Sequence, residues 1–545
     1  MTFAKIKSYI EKYEWIIPLG LFIIFLAFTL PGISWGAPDV WNPDEIVSRS
    51  IKALHGEWKF SEINFNYPDL PQYVMFWLGK AILALGYSDT EVLIASRVLS
   101  AILAGSTLII VYIIARRASG SIYVAGVSGL FLLCVSDLSN NGRFAHNDTY
   151  TVFFSTLSML FLLEYARKDH RGWLYASFTA IGMAASSKYI AGSLFLTPFV
   201  VFLILQRGRF RKDLFSIGET LFISGALTFL GFAVGTPKSL TWMAYYFKRV
   251  YAALNWQVSW GQREDSIRGV IGQYALMEKT LGTALFLLFM AGILWSVSQV
   301  IKAYRKGTLN RTSFEGTLAI LILGILSLDL PVMVSYNYQP RYLLPLMPML
   351  AILAAYFLEN LYSFVGNLGK PFLQSLLSII TGIVVLFSFA RLTSMILLFK
   401  NDSRIAASDF MNTLPEGKSL EHTNYPPTYP AERFEREHNY PLYIQMGTID
   451  TVPTDQGMKY NTGEEGLLDR ETDYLIVDSF TANKFKDSYM CNQVPIECAF
   501  FRQLETGRSD HYQLIAEFKY SLPWYMPPVH VTFANPAIRI YERIP

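Results

Sequence analysis

Long apolar stretches are what most constrain this chain. A helix needs about 20 predominantly apolar residues to cross the hydrocarbon core of a bilayer. On that measure eleven spans are expected, roughly at 15–33, 95–115, 121–137, 149–166, 172–187, 189–206, 214–235, 276–300, 314–335, 342–360 and 372–397. Composition agrees: 16% of the residues are charged, against roughly 25% in a soluble domain. The expected fold is therefore a polytopic α-helical membrane module over residues 1–400. After Lys400 the charge rises and no further span follows. DYLIVDSF (473–480), YQLIAEFKY (512–520) and AIRIYERI (537–544) read as strands, and Ser403 to Leu414, stopped by Pro415-Glu416-Gly417, reads as a helix. Residues 401–545 are expected to form a small α/β domain. Trp15 to Ile33 is followed by no small-residue cleavage site and reads as a retained first helix.

Basic residues orient the spans. Val74 to Leu85 is too short to cross unaided, so it is laid on the membrane, with a helix from Pro43 to His55, inside a first outer loop at 34–94. With the N-terminus inside, Arg116-Arg117, RKDHR (167–171), QRGRFRKD (206–213), IKAYRKGTLNR (301–311) and Lys370 all fall in cytoplasmic loops. Counting 74–85 as a span would move most of them outside. The chemistry-bearing residues then collect on the opposite, outer side: Asp44 and Glu45, Arg143, His146 and Asp148, Lys188, and Arg341. Charged groups of both signs at one membrane face cost free energy and mark a site. Carboxylates can take a hydroxyl proton, and Lys and Arg can neutralise a phosphate. That combination suits transfer of a group from a phosphate leaving group carried on a lipid.

The ordered motifs resemble those of the GT-C superfamily of membrane glycosyltransferases, in particular the protein O-mannosyltransferase and lipid A aminoarabinose transferase branch. They are Pro43-Asp44-Glu45 after the first span, Asn66-Tyr67-Pro68-Asp69-Leu70 in the place of a His-Pro-Pro-Leu-like segment, and Arg97 at the start of the second span. Arg143 to Asp148, Lys188-Tyr189, and Arg341-Tyr342-Leu343-Leu344-Pro345-Leu346-Met347-Pro348 follow. The segment at 66–70 departs from the family pattern at several positions.

The resemblance implies that Asp44 is the base that activates a hydroxyl acceptor for an inverting displacement. The competing account is a helix cap at Asn42 or Asp44. Glu45 either orients the acceptor, binds a metal or favours a helix N-terminus. Asp148 is either a second acid or a cap of the span it opens. Lys188 and Arg341, with Arg143 as a third, are carrier-phosphate ligands, against snorkelling to the interface. Arg97 reads as a structural partner of a loop carboxylate. Tyr67 and Tyr342 contact sugar or phosphate, or serve as aromatic interface anchors. No cofactor is indicated beyond a divalent cation that Asp44, Asp148 and His146 could hold.

The expected partners are a polyprenyl- or dolichyl-phosphate-linked sugar, a hydroxyl acceptor on protein, lipid or glycan, and the bilayer. The expected location is the plasma membrane, with the site and the C-terminal domain on the extracytoplasmic face. A net charge of +3 gives no footprint for nucleic acid. A flippase of lipid-linked sugars would show inverted repeats and midplane polar residues, and neither is seen. A non-catalytic subunit would not need the acid and base set. Cys491 and Cys498 either pair outside the cytoplasm or stay reduced.

Overall fold

The computed structural model describes residues 13–60, 67–208, 213–259, 270–336, 339–440, 444–445, 448–449, 463–493 and 495–544. Its first part is helical. Helix α1 (Ile16–Thr29) leads to two short helices, α2 (Val47–Leu54) and α3 (Leu70–Ala84). The expected 43–55 and 74–85 helices are thus present, the first starting later and the second earlier. Then come α4 (Asp89–Ser119), the bent pair α5 (Ile122–Leu133) and α6 (Ser136–Gly142), α7 (Asn147–Lys168) and α8 (Arg171–Ala185). Further helices are α9 (Leu196–Gln206, after a 3₁₀ turn at Tyr189–Phe195), α10 (Leu214–Gly235), α11 (Lys238–Thr241), α12 (Met243–Ser259), α13 (Val270–Leu281) and α14 (Thr283–Arg305). Helices α15 (Phe314–Met333), α16 (Met347–Asn367, after a 3₁₀ turn at Pro340–Leu346) and α17 (Pro371–Lys400) end this part, and α18 (Ser403–Met411) opens the next.

Each of the eleven expected stretches falls on helix. Among the described residues, eight helical segments are long and apolar enough to cross a membrane, or nine if the bent pair is one span. Helix α1, with 14 residues, and α8, with 15, are shorter. The stretch expected at 276–300 is not continuous. It breaks at Gly282, whose φ of +78° a residue with a side chain rarely adopts.

Capping follows the sequence. Ser88 and Glu91 form a reciprocal capping box at the start of α4, and Ser313 caps α15. Helices α8 and α10 touch backbone to backbone: a Cβ at Gly182 would lie 2.1 Å from the Thr228 carbonyl oxygen, and one at Gly231 2.4 Å from that of Thr179. In a membrane, where lipid is as apolar as Leu, such close approach through small residues is a main source of helix association.

Residues 403–544 build a five-stranded sheet. With β1 (Lys418–His422), β2 (Phe434–Asn439), β3 (Tyr474–Asp478), β4 (Tyr512–Phe518) and β5 (Ile538–Arg543), the order is β2–β1–β3–β5–β4. The β1 pairings with β2 and β3 are parallel; those of β5 with β3 and β4 are antiparallel. Strand β3 is buried along its whole length. Its side chains alternate, as the period of two requires. Leu475 and Val477 pack with Leu467, Phe485, Phe501 and Leu504; Tyr474 and Ile476 pack with Ala407, Met411 and Leu420. Cys491 and Cys498 are joined in a disulfide.

The sheet domain is seated on the loop after α1. Trp35 Nε1 donates to Asp402 Oδ2 at 2.9 Å. The Arg404 guanidinium, itself paired with Asp402, lies 5.0 Å from the Trp35 ring and 4.4 Å from the Trp41 ring. Trp41 Nε1 donates to Thr428 Oγ1 at 3.2 Å. Trp35, Phe144, Met395, Phe399 and Ala534 form a shared apolar core.

Replacing Gly182 with Val is expected to lower stability by ~3 kcal/mol, at the upper end of the usual overpacking cost. Thermal unfolding of the detergent-solubilised chain checks it; an unchanged midpoint would contradict the close packing of α8 on α10.

Candidate active site

The loop between α1 and α4 is fixed first. Glu45 and Arg97 are both fully buried. Arg97 Nε donates to Glu45 Oε1 at 3.1 Å and Nη2 donates to Oε2 at 3.1 Å. The remaining nitrogen, Nη1, donates to the carbonyls of Ile33 (2.9 Å) and Trp35 (2.6 Å). This two-pronged pairing ties the loop to α4. Burial still pushes the Glu45 carboxyl up, against the opposing pull of Arg97. Next to it, the Asp44 N–H donates to Asn42 Oδ1 at 3.0 Å and the Glu45 N–H donates to the Asn42 carbonyl at 3.1 Å. That turn leaves the Asp44 side chain free to reach Arg341, whose Nη1 is 2.8 Å from Asp44 Oδ2.

Arg341 stands in the 3₁₀ turn Pro340–Leu346, which begins with proline. Its Nε is buried with no hydrogen-bond partner among the described residues. A second cluster forms at the N-terminus of α7. Asp148 Oδ1 accepts from Lys188 Nζ at 2.5 Å, and Asp148 Oδ2 lies 2.8 Å from His146 Nδ1. Asp148 is therefore engaged with Lys188 and His146, and no side chain caps α7. Neither does a side chain cap α2. Lys188 sits 4.3 Å from the Tyr342 ring centre and Arg341 5.9 Å from it, close enough for cation–π attraction. Tyr67 meets His146 edge to face at 5.8 Å.

The structure thus gathers Asp44, His146, Asp148, Lys188, Arg341, Tyr67 and Tyr342 at one end of the bundle. All lie in segments entering or leaving the same ends of α4, α7, α8, α15 and α16. The basic residues at the opposite end pair separately: Arg117 with Glu164 at 2.5 Å and Arg311 with Asp169 at 2.9 Å.

Two sequence candidates lie apart. Glu45 is committed to Arg97. Arg143 donates to the carbonyls of Phe28 and Thr29 at the end of α1 and to Ser139 Oγ, with Phe399 across its face. Among the described residues, no group of three or more His, Cys, Asp or Glu is placed to hold a metal ion. Asp44 and Asp148 meet protein cations.

Three residues that sequence reasoning did not single out belong to this region. Asp137, in α6, is buried with one oxygen unpartnered among the described residues and feels the charges of Asp148 and Arg341. Arg49, on α2, lies over the rings of Trp58 and Tyr67 at 5.7 and 5.6 Å. Asp69, just before α3, is buried, and burial pushes its carboxyl up to about 7 against the pull of Arg49 and Lys238. For Asp137 and Asp69 the detectable signal was an acid inside or beside an apolar run.

Arg97→Ala would leave Glu45 buried without its partner, at an expected cost of ~3–5 kcal/mol. Thermal unfolding reads it, and a midpoint near wild type would show that the pair is dispensable. Asp69 gives a pH dependence. Its folded-state carboxyl holds a proton up to about pH 7, whereas in the unfolded chain it ionises near pH 4. Between those values the native state binds more protons, so this group's contribution makes stability fall as pH rises. Asp69→Asn is expected to gain stability relative to wild type between pH 5 and pH 8. Parallel melting curves for the two proteins would refute this.

A family model described as dolichyl-phosphate-mannose-protein mannosyltransferase matches residues 69–232. An uncharacterised protein of Aquifex aeolicus (strain VF5) is 26% identical over 358 residues, which cover 63% of this chain and 64%, less than two thirds, of that relative. The archaeal oligosaccharyltransferase AglB from Archaeoglobus fulgidus, solved with an inhibitory peptide and a dolichol-phosphate, superposes with a TM-score of 0.56 at 10% identity. That superposition covers 98% of this chain and 89% of AglB. ArnT from Cupriavidus metallidurans, bound to undecaprenyl phosphate, gives a TM-score of 0.48 at 13% identity over 96% of this chain and 98% of that one. The helical bundle with the sheet domain seated on its first loop shares the fold of AglB, and residues 69–232 are similar to the dolichyl-phosphate-mannose-protein mannosyltransferase family.

Proposed function

We propose that this protein transfers a sugar from a polyprenyl- or dolichyl-phosphate carrier to a hydroxyl acceptor. The observation that carries the proposal is the Asp44–Arg341 contact beside the Lys188–Asp148–His146 cluster at one end of the bundle. Asp44, the more exposed member of its pair with 27% of its side chain accessible, is the base. It takes the acceptor's proton as that oxygen attacks the anomeric carbon, and the carrier phosphate leaves in a single inverting displacement. Arg341 and Lys188 receive the charge that develops on the leaving phosphate. Asp148, with His146, holds Lys188 in place and is the second acid of the site. Tyr342 and Tyr67 flank the sugar. Glu45 fixes the loop that carries Asp44, and Arg143, seated on the carbonyls at the end of α1, is left outside the phosphate set.

Support for the lipid-linked donor comes from the matched mannosyltransferase segment and from AglB, which was solved with a dolichol-phosphate. The distribution of basic loops supports a site on the extracytoplasmic side of the plasma membrane, and the sheet domain, resting on the loop that carries Asp44, would border the acceptor's path. The acceptor itself, protein, lipid or glycan, is left to experiment.

Membranes containing the chain, given a panel of radiolabelled polyprenyl-phosphate sugars, are expected to transfer one donor class. Asp44→Asn should reduce the rate by about 10²–10⁴, the usual size of a general-base contribution. Transfer at the wild-type rate in Asp44→Asn would remove Asp44 from the base role.

A further inference from the structure

We propose that Arg49 and Asp69 form the donor head-group subsite, Arg49 taking an oxygen of the carrier phosphate and Asp69 accepting hydroxyl hydrogens of a neutral sugar. This subsite rests on the donor chemistry proposed above and assigns it to residues outside the paired clusters.

Charge matching points to Arg49. Arg341 is matched by Asp44, Lys188 by Asp148 and Arg97 by Glu45, and Arg143 is spent on helix carbonyls. Arg49 is different. Among the described residues it makes no ion pair and lies between the faces of Trp58 and Tyr67. A guanidinium held by aromatic faces keeps its edge donors for a ligand, and a phosphate accepts them two at a time. Its aromatic neighbour Tyr67 touches His146, which contacts Asp148. The uncommitted cation is therefore separated from the His146–Asp148 pair by the Tyr67 ring.

Asp69 supplies the other half. It is 3% exposed, and its Oδ2 has no hydrogen-bond partner among the described residues. Its Oδ1 receives only a 3.3 Å bond from Gln72 Nε2. Buried polar atoms are nearly always satisfied, so an orphaned carboxylate oxygen calls for a donor from outside the protein. A sugar hydroxyl is such a donor, and a carboxyl oxygen can accept it whether or not the group is ionised. Ser186 Oγ, on the segment whose carbonyl receives the Leu70 N–H, is another buried polar atom without a hydrogen-bond partner among the described residues. The two proposed ligands are held in fixed relation: Ser50, beside Arg49 on α2, donates to the carbonyl of Gln72 on α3 at 3.0 Å. The hydroxyl pair Tyr189–Tyr246 (3.1 Å) lies in the field of Asp69.

Binding to the purified full chain in nanodiscs tests the subsite without requiring turnover. The probes are polyprenyl phosphate, the corresponding polyprenol, and polyprenyl-phosphate hexose, N-acetylhexosamine and pentose. Arg49→Gln is expected to weaken polyprenyl phosphate at least tenfold while leaving polyprenol unchanged, and Arg49→Lys to recover most of the loss. Asp69→Asn should leave the bare carrier phosphate unchanged and reduce the best sugar-bearing donor to the affinity of that carrier. Melting curves confirm that each variant is folded. Arg49→Gln binding polyprenyl phosphate as wild type does, or Asp69→Asn keeping the preference for a sugar-bearing donor, would overturn the subsite alone. If wild type failed to distinguish polyprenyl phosphate from polyprenol, the donor chemistry proposed above would fall with it.

Discussion

The Arg97–Glu45 pair is the interaction on which the rest depends. Removing two charges from water costs several kcal/mol per ion, and the cost is offset only when every donor and acceptor finds a partner. Here the guanidinium meets both carboxylate oxygens, and its remaining nitrogen takes the carbonyls of Ile33 and Trp35. The pair therefore acts as a specific clamp between the first loop and α4. It sets the backbone of Asp44, the neighbouring residue, at the distance where Arg341, from a turn far along the chain, can reach it.

The same loop carries the C-terminal domain. Trp35, whose carbonyl is held by Arg97, offers its indole N–H to Asp402 and its ring to Arg404. One aromatic residue thus links the buried clamp in the membrane module to the first helix of the sheet domain. The docked domain keeps the loop from rearranging independently, so the acidic residue beside the clamp is pre-positioned rather than recruited. Preorganised groups cost no reorganisation at the moment of reaction.

Much of this was legible in the sequence. Each apolar stretch became helix, because only helices satisfy their backbone within one segment in lipid. Three strands were visible as β-branched and aromatic runs. Strands β1 and β2 were not: KSLEH and FEREHN carry no apolar alternation. Their polarity is accommodated by pairing, as Glu421, 1% exposed, receives Arg470 and Thr472. Partnership of this kind is set by the tertiary fold and leaves no periodic trace. The site shows the same division. Asp44, Asp148, Lys188 and Arg341 stood out as charges at span ends and do converge. Glu45 and Arg143 stood behind them as further candidates, because sequence position does not tell whether a charged group turns toward a cavity or onto partners inside the fold. Arg49 escaped notice for the opposite reason: on a short helix beside a serine it reads as an ordinary solvated face.

The central claim is that the lipid carrier's phosphate is received at the Asp44 end of the bundle. An electron cryomicroscopy structure of the full chain in nanodiscs with polyprenyl phosphate tests it most directly. The account predicts phosphate density within hydrogen-bond reach of Arg49, Arg341 or Lys188, with the polyprenyl tail leaving along the membrane face beside them. Phosphate density at the opposite end, among Arg117, Arg171 and Arg311, would contradict it.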